Sequence, residues 1–151
     1  MKKITCLRGL PGSGKSYTAW SIATAWNGRA VVSADMFFMD NGEYKFDKAR
    51  LGTAHAWCQS EAAARLRGGS SVVVDNTNLS RAELAVYAKI AVEAGAEFSV
   101  AYSSAPWAMD IDECSKRNTH GVPKEALVRM LARFWRPGEA ITLEEVLHTP
   151  P

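Results

Sequence analysis

Two periodicities divide the chain. Short apolar runs of strand length stand at 2–8, 30–33, 71–75 and 97–102, and the segments between them repeat their apolar positions every three to four residues. The spacing predicts helices over Lys15–Trp26, Asp47–Arg67 and Arg81–Glu93. Asn27-Gly28 supplies a C-cap for the first, while Asp47 caps the start of the second and Gly68-Gly69 closes it. Within that second helix Leu51, Ala54, His55, Cys58, Ala62 and Leu66 share one face, so His55 belongs on or beside a buried stripe. Ser80 and Glu83 form a capping box for the third. Beyond Pro106 helices are expected over Trp107–Arg117 and Lys124–Phe134, broken at Asn118–Pro123, with a short amphipathic one over Ile141–Leu147. Strand, helix and strand in alternation predict an α/β fold, a doubly wound parallel sheet with helices on both faces and the 2–8 strand buried at its centre.

Composition narrows the class without changing this picture. A length of 151 residues, 47% of them hydrophobic, suits one domain over 1–151 with a sizeable core and excludes a disordered chain. The net charge of +2 does not by itself mark a nucleic-acid binder. Cys6, Cys58 and Cys114 match no zinc or C-x-x-C spacing and read as reduced, partly buried thiols of a cytoplasmic protein. The apolar run at the start is too short for a signal peptide, and no stretch approaches a membrane span.

Chemistry enters at Gly9-Leu10-Pro11-Gly12-Ser13-Gly14-Lys15-Ser16, a G-x-x-x-x-G-K-S loop between a strand and a helix. Glycines let the backbone curl so that successive N–H groups point at a polyphosphate, and the following helix adds its positive end. Gly12, Ser13, Gly14, Lys15, Ser16 and Tyr17 are the expected nucleotide contacts. Lys15 would reach the β- and γ-phosphates and Ser16 would ligate Mg²⁺, so ATP or GTP with Mg²⁺ is the expected cofactor pair. Asp75, closing the 71–75 strand, is placed like a Walker B carboxylate, a second metal ligand. Asp35 follows the 30–33 strand on the same rim, where it could accept a proton from a hydroxyl nucleophile or cap the next turn. The loop 36–46 carries Phe37, Phe38, Tyr44 and an Asn41-Gly42 turn, and could clamp an acceptor or simply pack down. The basic, twice-helical stretch after 106 suits a lid over about 114–124 that closes on the triphosphate, with Arg117 at its break.

The runs GLPGSGKS at 9–16, DNTNL at 75–79 and APWAMDIDECSKRNTHGVPKEALVRM at 105–130, together with Asp35, resemble the kinase domain of bacteriophage polynucleotide kinase and its relatives among the P-loop kinases. That resemblance implies transfer of the ATP γ-phosphate to a 5′-hydroxyl of DNA or RNA, with Lys15, Arg117 and Asp35 in catalytic roles and Asp35 as general base. Phe38 stands where the phage enzyme carries an arginine, which implies one acceptor-phosphate contact fewer. Kinases of a hydroxymethylated base or of a small metabolite, and a nucleotide-gated binding module, fit the same loop.

Overall fold

The computed structural model describes residues 1–26 and 30–148, so the expected Asn27-Gly28 cap lies outside the described residues. Strands β1 (Lys3–Arg8), β2 (Val31–Val32), β5 (Val72–Asp75) and β6 (Glu97–Tyr102) form one parallel sheet in the order β2-β5-β1-β6. Strands β3 (Met39–Asp40) and β4 (Glu43–Tyr44) make a separate small hairpin. The helices are α1 (Lys15–Thr24), α2 (Leu51–Arg67), α3 (Arg81–Ala94), α4 (Ile111–Arg117), α5 (Lys124–Ala132) and α6 (Leu143–His148).

Period-two alternation along the strands splits the core into two layers. Ile4, Cys6, Val32, Val72 and Val74 face the buried stripe of α2 and α3, including Ala54, Cys58, Leu66, Leu84 and Ala88. Leu7, Val31 and Val73 face the other way, onto Ala19 and Ala23 of α1. A third cluster, Leu10, Cys114 and Leu127, packs α4 and α5 against the loop after β1. All three cysteines are free and buried, and burial pushes each thiol above its ordinary pKa.

Local chemistry sets the element ends. Asn41 (φ 52°) and Gly42 (φ 80°) both take positive φ, the two-residue turn that suits the twist of the β3–β4 hairpin. Ser80 accepts from the Glu83 amide at 3.2 Å, while the Glu83 carboxylate accepts from the Leu79 amide at 2.9 Å, so the capping box closes one residue early. The helix expected from Trp107 starts only at Ile111, because Asp110 accepts from the Glu113 amide at 3.1 Å and so becomes its N-cap. Asp47 caps a single 3₁₀ turn at Lys48–Arg50 ahead of α2.

Candidate active site

β1 lies inside the sheet between β5 and β6, and its carboxyl end feeds directly into the Gly9–Ser16 loop. The register sets Leu7 opposite Asp75 and Val32 opposite Val74, which brings the ends of three strands to one rim. Gly12 (φ 80°) and Gly14 (φ 87°) are left-handed. A Cβ at Gly12 would sit 2.8 Å from the Asn118 amide nitrogen and closer still to the Cys114 carbonyl, so only glycine fits under this segment. The rest of the cradle is fixed from outside it: the Ser103 hydroxyl donates to the Ser13 carbonyl at 2.6 Å and the Trp107 indole N–H to the Gly12 carbonyl at 3.1 Å.

Ser16 donates its hydroxyl to Asp75 Oδ2 at 2.7 Å, joining the two residues expected to share a cation. The other carboxylate oxygen, Asp75 Oδ1, and the Ser13 hydroxyl are buried with no hydrogen-bond partner among the described residues. The orphaned Asp75 Oδ1, on the carboxylate that already accepts from Ser16, fits a bound cation, since a buried carboxylate oxygen left without a partner is otherwise costly. The Ser16–Asp75 pair fits Mg²⁺, and the loop with Lys15 fits a nucleotide polyphosphate. Tyr17 is 77% exposed at the start of α1, beside this cradle in sequence but turned to solvent.

Asp35 stands in a short 3₁₀ helix, Ala34–Phe38, directly after β2. Tyr44 donates its hydroxyl to Asp35 Oδ1 at 2.9 Å, and His120 Nε2 lies 3.6 Å from Oδ2. His120 is carried on a loop stapled by Asn118, which accepts from the Val122 amide at 2.9 Å and donates to the Val122 carbonyl at 3.1 Å. The 114–124 segment therefore touches Gly12 at one end and Asp35 at the other. Arg117 lies one layer back: its guanidinium stacks 3.7 Å from the centre of the Trp107 ring, and its Nε donates to Glu113 at 3.2 Å.

Three further residues shape the site, none of them given a role by the sequence reading. The Asn76 side-chain oxygen accepts from the Ala34 amide at 2.9 Å and so sets where the Asp35 turn begins. Asn78, at φ 44°, donates to the Leu7 carbonyl at 2.7 Å, and the Thr77 carbonyl accepts from the Gly9 amide at 3.0 Å. The 75–79 run thus wires the phosphate loop to the Asp35 segment. Arg8 is only 1% exposed and is held by oxygens without a carboxylate: the carbonyls of Asn78 (2.8 Å), Leu79 (2.7 Å) and Trp135 (2.6 Å) and the Tyr102 hydroxyl (2.9 Å). Its guanidinium lies 4.9 Å from the Phe134 ring centre. Arg8, Tyr102, Met109, Phe134, Pro137 and Gly138 wall a cavity of about 210 Å³ that opens beside Gly9 and Ser13. The aromatics of 36–46 divide: Phe38 is buried and Phe37 packs on Trp57, whereas Tyr44 turns to Asp35. His55 lies half-buried next to Ala54 on α2.

A parallel sheet with helices on both sides and a glycine-rich loop after its inner strand is the fold of the P-loop kinases. A family model described as an AAA domain matches residues 4–137, and the chain belongs to that family. Human NEDD4-binding protein 2 is 36% identical over 136 residues, a match spanning 88% of this chain and 8% of that protein. A chain of the Pnkp1/Rnl/Hen1 RNA repair complex superposes with a TM-score of 0.69 at 23% identity, over 88% of this chain and 44% of that one. A gluconokinase from Sinorhizobium meliloti 1021 superposes with a TM-score of 0.58 at 20% identity, over 97% of this chain and 87% of that one. Among the described residues no helix is long and apolar enough to cross a membrane.

Proposed function

We infer that the protein is an ATP-dependent kinase that phosphorylates a hydroxyl group of a nucleic acid, most simply the 5′-hydroxyl of a DNA or RNA strand. One observation supports the reading: a single segment, 114–124, lies against Gly12 of the phosphate loop through Cys114 and Asn118 and approaches Asp35 through His120. A donor cradle and a carboxylate linked by one segment suits in-line transfer.

In this reading Lys15 and the loop amides hold the donor phosphates, Ser16 and Asp75 hold Mg²⁺, and the 210 Å³ cavity takes the nucleobase. Bound Mg²⁺ would neutralise negative charge on the donor phosphates. Asp35 orients the acceptor hydroxyl and takes its proton as the acceptor oxygen bonds the terminal phosphorus and the bond to the nucleoside diphosphate breaks. Because the transition state is loose, the proton moves late and no strong base is required. Arg117, held on Trp107 and Glu113, would supply positive charge to the transferring group once released from Glu113.

Incubating the protein with γ-labelled ATP and Mg²⁺ against 5′-hydroxyl DNA, 5′-hydroxyl RNA, hydroxymethylated DNA and gluconate tests the reading. Label on a 5′-hydroxyl end supports it. Label only on the modified base or the sugar acid replaces the acceptor, and label on none with ATP still bound leaves a nucleotide-gated module.

A further inference from the structure

Asp35 is hydrogen-bonded on one oxygen and approached on the other, from the β3–β4 hairpin and from the loop after α4. On one side the β3–β4 hairpin presents Tyr44, whose hydroxyl donates to Oδ1 at 2.9 Å. On the other, His120 Nε2 approaches Oδ2 at 3.6 Å, beyond a good hydrogen bond, and the Tyr44 and His120 rings lie 4.5 Å apart between centres. The hairpin is itself anchored, with the Tyr44 ring edge-on to buried Phe38 and stacked on Phe46, both at 6.3 Å. Oδ1 is therefore committed to one fixed donor, while Oδ2 has no good hydrogen bond and stays open to a new partner on the side that His120 approaches.

We propose that Tyr44 is a positioning residue for Asp35: its hydroxyl pins Oδ1 so that Oδ2 faces the acceptor hydroxyl, while His120 covers that place until the acceptor arrives and replaces it. The assignment rests on the kinase reading above. Tyr44 is well suited to it because burial first, and then the hydrogen bond to Asp35 and its negative charge, hold the phenol above the ordinary tyrosine pKa. It therefore stays a donor throughout the physiological range. A packing role alone would need only the ring, and this separates the two explanations.

Tyr44→Phe keeps the ring and removes the donor. The expected result is a kcat about tenfold lower, with KM for ATP and for the acceptor within about twofold of wild type and an unchanged melting temperature. A second readout needs no turnover: the Tyr44 ¹³Cζ resonance titrates above an ordinary tyrosine in the wild type and moves down in Asp35→Asn. An active wild type with an unchanged kcat in Tyr44→Phe overturns the assignment while leaving the kinase reading intact, as does a Tyr44 titration indifferent to Asp35→Asn. A wild type that labels no acceptor overturns the kinase reading and this assignment together, and is recognised by that inactivity.

Discussion

Ser16 and Asp75 meet at 2.7 Å, with Asp75 Oδ1 left bare behind them. In the proposed reading a cation there would relieve that orphaned oxygen, and removing Ser16 would take away one of its two proposed ligands. Ser16→Ala is expected to lower kcat/KM by about a hundredfold and to raise the Mg²⁺ concentration needed for half-maximal rate, read from a metal titration of the kinase assay. Gly12→Ala acts differently, because its Cβ would collide with the Cys114 carbonyl. It should abolish tight nucleotide binding in calorimetry. The left-handed glycines of the loop were legible in sequence because eight consecutive residues carry the loop's geometry. Asn76, Asn78 and Arg8 were not, since their meaning lies in partners such as Ala34, Leu7 and Trp135 far along the chain. A lone arginine at a strand end reads as a surface charge until the strand beside it and the segment after α5 are in place.

At the scale of elements, the strand runs and the α2 and α3 faces follow from periodicity, because parallel strands buried on two faces must be apolar throughout. Periodicity misses where a side chain competes with helix, as Asp110 does in delaying α4 to Ile111, and it misses the 3₁₀ helix Ala34–Phe38 that carries Asp35. Arg8 ties β1 to the loop before α3 and to the strap after α5, with a short bond to each. Arg8→Met would fill the volume but leave several buried carbonyls without donors. The expected cost is about 3 kcal/mol in urea unfolding, with loosened nucleotide binding because the cavity loses its wall. Equal stability of Arg8→Met and wild type would contradict a tying role for Arg8.

For the whole molecule, a net charge of +2 gives little long-range pull on a nucleic acid, so acceptor recognition must come from groups near the site. If the acceptor is a strand whose phosphates meet basic side chains, its KM rises steeply between low and moderate salt; a sugar-like acceptor would show an almost flat dependence, measurable in the same transfer assay. The match to 8% of NEDD4-binding protein 2 and 44% of the RNA repair chain describes a module shared with larger proteins, whose own activities do not pass to this chain by similarity. The claim on which the remainder stands is that Asp35 serves chemistry and not donor binding. Single-turnover transfer from ATP by Asp35→Asn, measured beside its Mg²⁺-nucleotide affinity, tests it most directly: transfer is predicted to fall by at least about a hundredfold with affinity within about twofold of wild type. Near-normal transfer by the variant, or a loss that follows nucleotide affinity alone, would contradict it.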